Sequence, residues 1–197
     1  LGGGIISDLT AFVASLTKRG IKLINIPTTL LAQVDASIGG KTGINFKSKN
    51  IIGTFKQPRA ICIDTLFLRT LNNKQMINGF AEIIKYGLIF EKTLYDEITA
   101  NFSSLIKLNN DSLLERIIIR SCNLKKNIIE QDEFDKSERM ILNFGHTVGH
   151  AIESYYHYEK IQHGEAVYHG MIAASYISFK LNYLSWDDFV QIRDFIQ

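Results

Sequence analysis

Proline and cysteine are almost missing from these 197 residues, with two of each. Pro27 and Pro58 both precede Phe67, so no proline breaks helical periodicity in the rest of the chain. Cys62 and Cys122 have no CxxC spacing, which excludes a disulfide framework and fits a reducing, cytoplasmic compartment. No stretch of about 18 residues escapes charge or strong polarity, so a membrane-spanning helix is excluded. Neither sign of charge dominates: 22 Lys plus Arg against 20 Asp plus Glu are scattered along the chain, and nucleic acid finds no basic patch. Internal repeats and low-complexity tracts are also missing, and a hydrophobic content of 46% excludes disorder. A globular protein with a sizeable core remains. The chain has neither an initiator Met nor a signal peptide and opens at Leu1 on a glycine run, which reads as part of something longer.

Gly2-Gly3-Gly4-Ile5-Ile6-Ser7-Asp8 precedes an apolar-periodic stretch, Leu9 to Leu16, that reads as a helix starting at Ser7 or Asp8. Glycines ahead of a helix N-terminus allow close backbone approach, and the free N–H groups there favour a phosphate. Residues 21–26 form a short β-branched run stopped by Pro27, and residues 60–64 another; both read as buried strands. Strand, turn and helix alternate through about the first 65 residues, which predicts a parallel α/β unit. From Phe67 onward the spacing is helical, with helices expected near 73–89, 92–104, 111–130, 138–156, 164–181 and 186–196. A cleft between the α/β piece and the helical part is the default site.

His146 and His150, four apart in NFGHTVGHAIE, share one helix face, and His163 opens the next helix. Such a pair fits two polar helix-face histidines as well as a metal or substrate site, and it lacks the Glu beside the first His that a zincin needs. Glu82, in GFAEIIKYG, stands three residues before Lys85 inside an otherwise apolar helix. The two fit an intrahelical ion pair, but two His and one carboxylate also make a usual catalytic Zn²⁺ set. Lys85, Lys125, Lys126 and Arg139 are then either anion-binding groups or solvated helix-face charges. Residues 27–35 and 39–43 look too polar and too glycine-rich for plain structure. GGKTG resembles the end of a P-loop but lacks the earlier glycine, since position 36 is Ala, and follows no clear strand.

Together these segments resemble the 3-dehydroquinate synthase family of sugar-phosphate cyclases. The matching stretches are GGGIISD (2–8), KRGIKLINIPTTLLAQVDASIGGKTGIN (18–45), KNIIG (49–53), FLRTL (67–71), GFAEIIKYG (79–87), RMILNFGHTVGHAIE (139–153) and HGEAV (163–167). The resemblance implies a partial NAD-binding α/β domain with a parallel sheet over 1–66, followed by an all-helical Zn²⁺- and substrate-binding domain over 67–197, as a homodimer. It implies metal ligands Glu82, His146 and His163, for Zn²⁺ or Co²⁺ in its place. For NAD it implies the pyrophosphate turn Gly4-Ile5-Ile6-Ser7 with Asp8, then Thr28, Thr29, Lys41, Lys49, Thr70 and the Phe67-Leu68-Arg69 backbone. Asp35, Lys85, Lys125, Arg139, Asn143 and His150 match substrate-binding and catalytic positions, and Arg19 matches an arginine that reaches a neighbouring subunit's phosphate.

The activity implied is conversion of a seven-carbon phosphorylated keto-sugar acid (DAHP) into 3-dehydroquinate with release of phosphate, by transient oxidation, elimination, reduction and aldol closure. Two departures stand out. Residues 45–48 lack the family's Pro-Leu-Gly turn and one residue, and Asp135 stands where a Glu is usual. The family's first strands and its C-terminal helical tail have no counterpart here. Competing readings are another sugar-phosphate cyclase, such as a deoxy-inosose or valiolone synthase, and a truncated non-catalytic remnant.

Overall fold

The computed structural model describes residues 1–46 and 48–197, with the side chains of 46 and 48–50 outside the description. Helix α1 (Gly4–Leu16) is followed by β1 (Ile24–Asn25), a hairpin of β2 (Lys41–Phe46) and β3 (Ser48–Phe55), and β4 (Ala60–Ile61). Six helices follow: α2 (Asn73–Phe90), α3 (Lys92–Ile106), α4 (Asp111–Gln131), α5 (His146–Tyr155), α6 (His163–Lys180) and α7 (Trp186–Ile196). Strands β1 and β4 pair in parallel, Ile24 with Ala60 and Asn25 with Ile61. On the other edge of β1, Gly2 bridges Pro27, also in parallel. A narrow parallel sheet and a helical remainder are thus present, as the sequence predicts.

Side-chain caps set several helix starts. Asn72 accepts from Gln75 N at 2.9 Å, Asn110 from Leu113 N at 3.1 Å and Ser185 from Asp188 N at 3.0 Å. Helix α2 is the centre of the molecule, and every residue from Asn78 to Gly87 is buried. Met76, Phe80, Ile83 and Ile84 repeat at helical spacing and pack with Leu94 and Ile98 of α3, Leu114 and Ile117 of α4, and Val167 and Met171 of α6. Each such side chain contributes about 1.5–3 kcal/mol by leaving water. The opposite side of α2 lies against Leu30 and Val34, and a Cβ on Gly79 would stand 2.6 Å from that of Leu30. Burial on every side brings Glu82 and Lys85 inside along with the apolar residues.

The structure corrects four sequence expectations. Helix α1 begins at Gly4 rather than at Ser7 or Asp8, because Gly3 is extended (φ −79°, ψ −171°) and acts as the N-cap. The strand expected over 21–26 is regular only at Ile24–Asn25, and that over 60–64 only at Ala60–Ile61, since the sheet offers partners for no more. The helix expected over 138–156 is broken. A 3₁₀ segment, Glu138–Asn143, precedes α5, and Gly145 between them adopts φ 78°. A Cβ there would stand 2.8 Å from Met171 Cγ, so the break is what lets α5 lie close on α6. Finally, residues 27–35 and 39–43 are partly regular. A π-helical turn covers Ala32–Ala36, and β2 with β3 forms an antiparallel hairpin pairing Thr42 with Thr54 and Ile44 with Ile52.

Candidate metal centre and active site

Three donors from three helices converge behind α2. Glu82 Oε1 lies 3.5 Å from His146 Nε2 and 3.6 Å from His163 Nε2. Each helix places its donor for a local reason. His146 is the first residue of α5, immediately after the Gly145 break, and His163 is the first of α6. The α6 start is fixed from outside, because Gln162 makes no side-chain cap and Asn78 of α2 accepts from Gly164 N at 2.6 Å instead.

The donor set fits a divalent cation. Glu82 Oε1 is fully buried and has no hydrogen-bond partner, an arrangement that is costly for a carboxylate left to itself. Tetrahedral Zn²⁺ with bonds of about 2.0–2.1 Å separates its ligands by roughly 3.4 Å, close to the spacings here. Both rings turn Nδ1 away from the centre, His146 toward Phe144 O at 3.2 Å and His163 toward Glu153 Oε1 at 3.4 Å, leaving both Nε2 atoms aimed at Glu82. Burial, followed by Lys85, lowers the His146 pKa to about 4, so its ring is neutral and able to ligate near neutral pH.

Charges of both signs surround the centre. Glu82 Oε2 pairs with Lys85, and both side chains are buried. Lys125 Nζ donates to Asp35 Oδ1 and to Asp35 O, both at 2.6 Å, and Tyr86 OH donates to Asp35 Oδ1 at 3.0 Å. Burial alone would raise both carboxyls. Lys125 and Lys85 outweigh it at Asp35, and Lys85 outweighs it at Glu82, so both stay below the usual carboxylate range. Burial pushes the Tyr86 hydroxyl well up and the Lys125 ammonium down. Arg139 is buried as well, donating to Glu133 O at 2.7 Å beside Gly39. His150 is exposed, its ring edge-on to His146 with centroids 5.2 Å apart.

Other predicted positions are scattered. Asn143 is exposed at the end of the 3₁₀ segment, and Lys126 is a solvated helix-face charge facing Glu130 at 3.6 Å. Lys41 pairs with Asp135, joining the hairpin to the segment before Arg139. Gly4, Ile5 and Ile6 form the first turn of α1 rather than a free turn, with the Ile5 side chain exposed, Ser7 buried and Asp8 half-buried. Thr28 N donates to Gly2 O at 3.0 Å, and Thr29 Oγ1 accepts from Ala32 N at 3.2 Å. Phe67, Leu68, Arg69 and Thr70 lie in a 3₁₀ turn, where Arg69 reaches Asp111 at 2.6 Å. Arg19 is exposed in a left-handed turn (φ 64°), and the Lys49 side chain lies outside the described residues. Sequence reasoning missed Asn78, Tyr86 and Glu153, although all three lie in or beside matched motifs.

Two family models cover the chain end to end: 3-dehydroquinate synthase N-terminal over residues 1–78 and 3-dehydroquinate synthase C-terminal over 79–197. The chain belongs to the 3-dehydroquinate synthase family. It is 50% identical to a 3-dehydroquinate synthase of Dictyoglomus thermophilum, over 98% of this chain and 54% of that protein. With one of Rippkaea orientalis it shares 51% identity, over 92% and 50%. The chain thus spans about half the length of the curated relatives it matches. A 2-epi-5-epi-valiolone synthase from Streptomyces hygroscopicus subsp. jinggangensis, solved with NAD⁺ and Zn²⁺ bound, superposes with a TM-score of 0.92 at 29% identity, over 99% of this chain and 55% of that one. A 2-deoxy-scyllo-inosose synthase complexed with carbaglucose-6-phosphate, NAD⁺ and Co²⁺ gives 0.84 at 28%, over 100% and 53%.

Proposed function

We propose that this chain carries the metal centre and part of the NAD site of a 3-dehydroquinate synthase, a phosphate-eliminating lyase that converts DAHP into 3-dehydroquinate in the shikimate pathway. The observation that carries it is the convergence of Glu82, His146 and His163, with Lys85 buried against Glu82 and Lys125 buried on Asp35. NAD⁺ would accept and return a hydride, and Zn²⁺, or Co²⁺ in its place, would polarise the hydroxyl that loses it. Glu82, His146 and His163 hold the metal, with Lys85 neutralising the second Glu82 oxygen. Asp35 aims Lys125, and Lys125 with Arg139 and Asn143 receives the carboxylate and phosphate of the substrate. Exposed His150, edge-on to His146, passes protons between substrate and solvent.

For the cofactor, the N–H groups of Gly4, Ile5 and Ile6 at the start of α1, with Ser7 and Asp8, face the pyrophosphate. Thr28, Thr29, Lys41, Lys49 and residues 67–70 complete that pocket, residues 1–66 forming the cofactor half and 67–197 the metal half. A cytoplasmic homodimer completes the reading, with Arg19 reaching across; Cys62 and Cys122, both unpaired, are consistent with a reducing compartment. Identity of 46–51% to 3-dehydroquinate synthases against 28–29% to the other two cyclases favours DAHP over a hexose or heptulose phosphate. Phosphate release from DAHP with NAD⁺ and Zn²⁺ present, and no net NADH, is the expected result. Net NADH formation, or phosphate release only from the other sugar phosphates, overturns it.

A further inference from the structure

Glu153 sits in the last turn of α5, is only 3% exposed, and has no part in the ligand, cofactor or substrate sets above. Its Oε1 lies 3.4 Å from Nδ1 of His163, on the side of that ring opposite Glu82, and its Oε2 lies 3.9 Å from Nε2 of His150. One buried carboxylate therefore faces both the imidazole of a metal donor and that of the proposed proton relay. We propose that Glu153 is a positioning residue for the metal centre: it accepts the Nδ1–H of His163, so that the Nε2 lone pair faces Glu82, and it steadies His150 alongside. The proposal rests on the reading of Glu82, His146 and His163 as metal ligands.

Two observations support it beyond proximity. His146 has the same arrangement, with Nδ1 on Phe144 O and Nε2 on Glu82, so both imidazole donors are oriented by an oxygen behind them. Burying a carboxylate without a specific partner is costly, and Glu153 faces two imidazoles, His150 of its own helix and His163 at the start of α6. His150, Glu153 and His163 also bring donor atoms within 4.8 Å of one another, as a second cation site would. A neutral imidazole has one lone-pair nitrogen, however, so His163 cannot serve both clusters without losing its second ring proton.

Zinc affinity of the purified chain, measured by chelator competition, tests the proposal directly. Glu153→Leu should bind one equivalent of Zn²⁺ about 10–100-fold more weakly than the wild type, while the metal-free protein keeps its melting temperature. In the zinc-loaded state the Nδ1–H proton resonance of His163 should move upfield, which a purely structural role would not cause. Glu153→Gln, nearly isosteric and still able to accept through its carbonyl, should fall between the two. It decides the matter if Glu153→Leu fails to fold. Wild-type affinity in a folded Glu153 variant overturns the proposal, as does a second equivalent of zinc that Glu153→Leu abolishes. His163→Ala separates the layers: if it too keeps wild-type zinc affinity, the ligand assignment has failed; if only the Glu153 variants do, the positioning role alone has.

Discussion

At the scale of single residues, Lys85 is the informative case. A lysine three residues after a glutamate inside an apolar helix fits either a surface pair or a buried one, and only packing on both sides of α2 decides it. Breaking a buried pair by removing one partner costs about 3–5 kcal/mol, because the remaining charge is left in low dielectric. Lys85→Met should therefore lower the urea-unfolding free energy of the metal-free protein by about that amount. With saturating zinc the loss should shrink, since the metal takes over neutralising Glu82, while turnover stays lost. Equal destabilisation with and without zinc would show that Glu82 does not face the metal. Glu82, His146 and His163 were legible from helix spacing and motif resemblance. Glu153 and Asn78 were not, because each acts through a contact between helices that periodicity leaves open: Glu153 with His163 across the α5–α6 pair, Asn78 with Gly164 at the start of α6.

At the scale of elements, the long helices matched the sequence reading to within a few residues, because capping residues and apolar spacing agree there. The reading failed where tertiary contact overrides local pattern. Residues 138–156 are expected as one helix, yet Gly145 at φ 78° splits them, and that break lets α5 lie close on α6. The hairpin of β2 and β3 was hidden because residues 39–43 look too polar and too glycine-rich for plain structure. Two predictions belong here. Asn78→Ala removes the acceptor for Gly164 N and should cost about 0.5–2 kcal/mol, the range for a lost helix cap. It should weaken zinc binding as well, since His163 begins the helix that Asn78 anchors; unchanged chelator competition would separate capping from metal binding. Asp132 accepts from Lys136 N, Ser137 N and Arg139 N at 2.9, 2.7 and 3.1 Å, and these backbone bonds hold its carboxyl at about 2 rather than 3.8. A depressed folded-state pKa gives stability that is complete above the unfolded value and lost as pH falls through the folded one. Asp132→Asn should therefore flatten the acid limb of the stability curve between about pH 4 and pH 2, a change visible in acid titration of the circular dichroism signal.

At the scale of the whole molecule, the core and the apolar surface divide unevenly. The large core runs through α2, α3, α4 and α6, whereas among the described residues the cluster around α1 holds Ala11, Ala14 and Leu23. The opposite face of α1 carries Ile5, Leu9, Val13 and Leu16, which are 84%, 47%, 51% and 59% exposed. Spacing by three and four residues makes these one continuous apolar row along the helix. Sequence periodicity finds such a stripe but cannot say what lies against it, so the exposure was legible only in the structure. Rows of this size on a soluble surface drive association. The 197-residue chain should bind a hydrophobic dye and elute as a concentration-dependent assembly in size-exclusion chromatography. Leu9→Lys with Val13→Lys should reduce both effects, while zinc stoichiometry stays at one because Glu82, His146 and His163 all come from helices other than α1. Dye binding that is unchanged in the double variant would move the sticky surface away from α1.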